Sequence, residues 1–219
     1  MSAWIIPSRY DFSVPEAQRL SDLSGIDSDL EAVVRLCNRC EKLMAGLSNV
    51  PEGNGLAWVE DFQALGDLMF AAVVRYGRTF TSGARQGIPT EWVEYLATPL
   101  RDAHAFFKVL RDKYIAHSVS QLEDNQVFVM LSPQFSEIQA PSHITVDRGR
   151  LATLSVKDVQ LLRSLAEELR SRISREIEEE SAKLLEFARQ IPIATIKQRG
   201  SESIPIPSTA AAFKVRGKF

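Results

Sequence analysis

Ser155 to Gln190 reads SVKDVQLLRSLAEELRSRISREIEEESAKLLEFARQ, and its periodicity decides the fold class. Leu162, Leu165, Ala166, Leu169, Ile173, Ile177, Leu184 and Ala188 fall on one stripe of an α-helix. Ser155, followed three residues later by Asp158, supplies the opening signal: a side-chain oxygen for a free backbone N–H and a carboxylate that reaches back. Roughly 35 residues at about 1.5 Å each give a rod of about 50 Å. That exceeds the width of a small domain, so part of the stripe is expected to meet another element or a second subunit. The acidic run Glu178 to Glu180 reads as a solvated face.

Upstream, the same periodicity predicts further helices. Ser28 with Glu31 matches a capping box, and Leu30, Val33, Val34, Cys37, Cys40, Met44 and Leu47 then predict a helix over Asp29 to Leu47. After a breaker segment from Asn49 to Asn54, the set Trp58, Phe62, Leu65, Met69, Val73 and Tyr76 predicts a second helix ending near Gly77. Thr79 to Pro89 reads as a loop, and Thr90 can cap a helix carrying Trp92, Tyr95 and Leu96. Pro99 either kinks that helix or opens a new one with Thr98 as its cap. Leu100, Ala103, Phe106, Phe107, Leu110 and Tyr114 then mark a helix to about His117. At this spacing Trp92, Tyr95, Phe106 and Phe107 are expected in the core rather than as base-stacking groups.

Between that helix and the long last one the pattern changes to alternation. Gln126 to Leu131, Ile144 to Val146 and Leu151 to Leu154 predict strands, with Asp147-Arg148-Gly149-Arg150 as a turn between the latter two. The expected fold is mainly α, an antiparallel helical bundle with a small antiparallel β-hairpin or sheet inserted between its last two long helices. The expected organisation is an irregular N-terminal segment over 1–28 packing on the bundle, a helical domain over 29–190 with its β insertion at about 126–154, and a flexible basic tail over 191–219.

The 219 residues, 45% hydrophobic and 25% charged, suit one generous globular domain. No apolar run approaches the roughly 18 residues that span a bilayer, and the first 25 residues lack a signal-peptide pattern. A soluble cytoplasmic protein without a membrane partner is expected. Cys37 and Cys40, three apart on one helix face, are expected in the core, since no further Cys and no nearby His completes a metal shell. The net charge of −2 is unevenly spread: residues 1–97 carry 8 basic and 13 acidic side chains, whereas residues 191–219 carry 5 basic and 1 acidic.

P-loop, dinucleotide-binding glycine turn, His-Glu-x-x-His and nucleophile elbow are all absent from the sequence. No cofactor and no metal is expected. Of the three histidines, His104, His117 and His143, the last reads as a surface residue. Leu110 to Ser118, LRDKYIAHS, concentrates ionisable groups at the end of a helix whose other face is aromatic. An arginine there offers a planar fork to a phosphate, and a histidine can take a proton from a ribose 2′-OH, so that the pair could cleave RNA.

The string Arg111-Asp112-Lys113 followed by Ala116-His117 at the end of a bundle helix resembles the signature of the HEPN superfamily, the higher eukaryotes and prokaryotes nucleotide-binding domain, in its abortive-infection-like branch. The resemblance covers about residues 29–190. It implies a homodimer in which Arg111 and His117 of both subunits form a composite, metal-independent endoribonuclease site of defence or toxin type acting on single-stranded RNA. Asp112, Lys113 and His104 would be the supporting groups. An antitoxin or another protein, or a nucleotide, would be a further partner.

On an ideal helix His117 stands about 120° from Arg111, so a frayed last turn, the arginine's length or pairing across a dimer axis has to bring them together. His104, seven residues before Arg111, falls within about 20° of the same face and could extend the polar site, the alternative being a plain surface histidine. The alternatives are that Arg111 and Asp112 make structural ion pairs while His117 caps the helix end, and that the bundle is a catalytically silent nucleotide- or protein-binding module or an unrelated helical adaptor. The pI near 6.0 weighs against RNA; residues 101–118, with four basic and two acidic groups, weigh for it.

Overall fold

The computed structural model describes residues 10–47, 55–81, 85–115, 123–131, 141–150 and 153–198. Along the chain come a short 3₁₀ turn at Pro15–Ala17, α1 (Gln18–Leu47), α2 (Gly55–Arg78), a single turn α3 (Glu91–Glu94) and α4 (Thr98–Val109). A wide π turn at Leu110–Ile115 follows, then β1 (Glu123–Leu131), β2 (Pro141–Arg150), α5 (Val156–Arg189) and α6 (Ile193–Gln198). The protein is a mainly α bundle with one two-stranded antiparallel sheet.

α1 begins at Gln18, so the irregular segment expected over 1–28 gives way to helix eleven residues before Asp29. The cause is an apolar stripe that continues upstream: Leu23 and Ile26 join Leu30, Val33, Cys37 and Cys40 in one buried core. Ser28 and Glu31 lie exposed in mid-helix, and their capping spacing marks no terminus. Gly25, in the middle of α1, is a point of close approach: a Cβ there would stand 3.0 Å from Nη1 of Arg85.

Ion pairs fix the direction of packing. Arg19 meets Glu176, Asp27 meets Arg170 and Glu41 meets Arg163, so positions rise on α1 as they fall on α5 and the helices run antiparallel. α2 returns along α1, with Leu65, Met69, Val73 and Tyr76 in the shared core. α5 contributes Val159, Leu162, Leu165, Ala166, Leu169 and Ile173, each buried Val, Leu or Ile side chain stabilising by about 1.5–3 kcal/mol. Its capping box is complete: Asp158 N donates to Ser155 Oγ at 3.2 Å, and Ser155 N donates to Asp158 Oδ2 at 3.1 Å. Beyond Ile177 the stripe leaves the core, and Phe187 there meets Phe12 at 6.3 Å between ring centroids. α6 makes 193–198 helical, shortening the expected tail.

Cys37 and Cys40 are core residues; burial pushes their thiols up to about 12 and about 11, which keeps them protonated and inert. Among the aromatics the expectation divides. Trp92 and Phe107 are buried, Trp92 beneath the Arg172 guanidinium at 4.2 Å. Tyr95, 81% exposed, and Phe106 are not core, because α3 ends at Glu94 and Tyr95 is its cap. Thr90 makes no side-chain cap bond. Pro99 opens a new helix as its second residue, with Ala97 rather than Thr98 as the cap.

The strands lie at Glu123–Leu131 and Pro141–Arg150, against an insertion expected at about 126–154. Glu123 pairs with Arg150, Gln126 with Asp147 and Val129 with Ile144, so the tetrapeptide expected as a turn, 147–150, is paired strand. The strand expected at 151–154 is not formed at Leu154, which plugs the core and donates its backbone N–H to Met69 Sδ at 3.0 Å. One face of the hairpin, with Val127, Val129, Ile144 and Val146, is aliphatic and exposed.

Candidate functional site

α4 starts on Pro99 and packs Ala103 and Phe107 into the core. After Val109 the backbone leaves the α-helical path for the π turn at Leu110–Ile115, with Leu110 still buried. Such i→i+5 turns are rare and concentrate at functional sites. Here the turn holds Arg111, Asp112 and Lys113. His117 itself lies outside the described residues.

The wall opposite α4 is the C-terminal turn of α2. Tyr76 is wholly buried there, and its hydroxyl oxygen stands 2.6 Å from Nδ1 of His104. Phe80 stacks edge-on against both rings, with centroids 4.6 Å from His104 and 5.2 Å from Tyr76, and Phe107 closes the cluster 6.4 Å from Tyr76. Burial disfavours the imidazolium and Lys108 repels it, so the pKa of His104 lies below its ordinary value. Burial pushes the Tyr76 phenol far above its ordinary range, so it keeps its proton. A neutral phenol donating to a neutral Nδ1 is the pairing this environment favours, leaving the ring hydrogen of His104 on Nε2.

The residue after Tyr76 meets the arginine. Gly77 packs under the stem of Arg111, and a Cβ there would stand 2.9 Å from Cγ and 3.1 Å from Cδ. Arg111 Nη1 donates to Asp112 Oδ1 at 2.6 Å. Two adjacent residues of α2 thus receive two of the ionisable groups of the α4 segment, Tyr76 taking His104 and Gly77 taking Arg111. Asp112 is joined to Arg111, Lys113 is exposed, and His143 is exposed on β2 beside Ser142. No group of three His, Cys, Asp or Glu side chains among the described residues is arranged to hold a metal ion.

Tyr76, Gly77 and Phe80 escaped the sequence reading as site residues. Tyr76 fits the apolar stripe of α2 and Gly77 looks like a helix end; only their partners far along the chain, His104 and Arg111, give them a second role. Chemically the site offers a partly exposed guanidinium on a non-standard turn, a carboxylate that orients it, and beside it a neutral, hydrogen-bonded imidazole. No family model, curated protein or solved structure matches the chain. No helix among the described residues is long and apolar enough to cross a membrane.

Proposed function

We propose that the chain is a HEPN-like protein that works in the cytoplasm as a homodimeric, metal-independent endoribonuclease of defence or toxin type on single-stranded RNA. The observation that carries the reading is the π turn that displays Arg111 and Asp112 at the end of α4, braced on Gly77 beside the Tyr76–His104 pair. In this reading Arg111 binds a non-bridging phosphate oxygen and Asp112 sets its fork. His117 takes the proton from the ribose 2′-OH, whose oxygen attacks the adjacent phosphorus. The P–O5′ bond breaks, and the leaving oxygen receives a proton, giving a cyclic 2′,3′-phosphate and a 5′-hydroxyl.

A second reading is favoured by the Arg111–Asp112 bond, which occupies part of the guanidinium within the chain. In it the bundle is a catalytically silent nucleotide- or protein-binding module, with an antitoxin among its candidate partners. The deciding experiment incubates the purified chain with mixed single-stranded RNA in EDTA, beside Arg111→Ala and His117→Ala. Cleavage with cyclic-phosphate ends by the parent alone supports the nuclease; no cleavage by any of the three leaves the binding module.

A further inference from the structure

Asp29 is buried on α1 and faces three arginines. Nη2 of Arg85 donates to its Oδ2 at 2.9 Å and to the carbonyl of Arg78 at 3.2 Å. Nη1 of Arg75 donates to Oδ1 at 3.2 Å, and Nε of Arg78 stands 3.8 Å from Oδ2. One carboxylate balances one guanidinium, and the Arg85 side chain, 17% exposed and held by both bonds, is the one seated on it. The side chains of Arg75 and Arg78 are 45% and 55% exposed, against 7% for Asp29. Two surplus positive charges are therefore fixed one helical turn apart, about 60° around α2.

This cluster adjoins the site already described. Gly77, which carries Arg111 across it, lies on the same turn of α2, about 100° from Arg78 and about 160° from Arg75, so Arg111 and the pair flank the helix end. The end of α2 thus presents four guanidiniums, those of Arg75, Arg78, Arg85 and Arg111, against two carboxylates, Asp29 and Asp112. We propose that Arg75 and Arg78 are a second phosphate subsite, which holds a phosphodiester further along the RNA strand than the one on Arg111. The inference rests on the ribonuclease reading and names where its substrate backbone runs. Guanidinium forks match phosphate oxygens in pairs, and the bond from Nη1 to Asp29 orients the Arg75 fork before the strand arrives.

The test is equilibrium binding of a fluorescent single-stranded RNA of about 12 nucleotides, by anisotropy over a range of salt. It compares the full-length His117→Ala chain with the same chain carrying Arg75→Gln with Arg78→Gln, or Arg111→Gln. The double variant is expected to bind about tenfold more weakly, with the slope of log K against log salt reduced by about 1.4, roughly 0.7 for each phosphate no longer neutralised. Arg75→Lys with Arg78→Lys should recover most of the slope. Arg78→Gln alone, whose guanidinium makes no hydrogen bond to Asp29, should lose about 0.7 of slope while melting like the parent.

Unchanged affinity and slope in both Gln variants, with Arg111→Gln weakened, would overturn the subsite and leave the nuclease reading standing. Absence of RNA binding by the parent overturns the subsite outright. The expected loss in the double variant, together with an absence of cleavage by the chain with His117 intact, upholds the subsite and removes the nuclease.

Discussion

The stem of Arg111 lies directly on Gly77, so close that a methyl group on the glycine would stand 2.9 Å from Cγ, an atom too near the backbone to swing clear. Alanine at position 77 gains about 1 kcal/mol of helix propensity but forces an overpacked contact that costs about 1–3 kcal/mol. On the proposed nuclease reading, Gly77→Ala is therefore expected to melt within a few degrees of the parent while RNA cleavage falls roughly ten- to a hundredfold, since a small misplacement of a phosphate-holding group is that damaging. Cleavage equal to the parent would mean that the position of Arg111 is immaterial.

The Tyr76–His104 pair makes stability depend on pH in a defined direction. The native pKa of His104 lies below its ordinary value of 6.5, so the unfolded chain binds the proton more readily. The stabilisation is whole above about 6.5 and is lost as pH falls through that value toward the native one. Urea midpoints at pH 7.5 and 5.5 should differ more for the parent than for His104→Asn, which does not titrate. Equal differences would remove His104 from the account. Tyr76→Phe should cost about 1–2 kcal/mol at neutral pH by leaving Nδ1 without its partner.

At Asp29 the three arginines are unequal. Asp29→Ala is expected to cost about 2–3 kcal/mol, less than the roughly 3–5 of a fully buried pair, because Arg75 and Arg78 can turn to water. Arg85→Ala should approach that loss, whereas Arg78→Ala should stay below about 1 kcal/mol, as exposed pairs do. Denaturation of the three variants gives the ranking, and a costlier Arg78 would contradict it.

The hairpin packs chiefly on itself, and its first and last residues, Glu123 and Arg150, stand opposite each other. Replacing residues 124–149 with a short Gly-Ser linker should leave the bundle melting cooperatively and within a few degrees of the parent. A large fall in melting temperature by circular dichroism would show that the bundle depends on it.

Two serines show what was legible in the sequence. Ser155 with Asp158 and Ser28 with Glu31 carry similar spacing, yet only the first pair caps a helix. Capping is local and can be read wherever the stripe also starts, as it does at Val159; around Ser28 the stripe was already running through Leu23 and Ile26. Asp147 to Arg150 has the composition of a turn, but pairing with residues 123–126 holds it extended. Arg111, Asp112 and His104 stood out as ionisable groups near the end of an aromatic-faced helix. Their seats on Tyr76 and Gly77, and the widening of the turn that displays Arg111, arise from packing between segments distant in the chain, where no local pattern announces them.

α1 and α5, the most extensively packed helix pair, are also the first and last long helices. During synthesis from the N-terminus, α1 and α2 leave the ribosome with the row Leu30, Val33, Cys37 half covered, and the missing half is more than a hundred residues away. Closure waits for Leu162 to Ile173, so the nascent chain passes through a long interval with an open apolar seam. The arrangement places the closing of the core late in synthesis, and the incomplete chain, rather than the finished one, carries the exposed apolar surface.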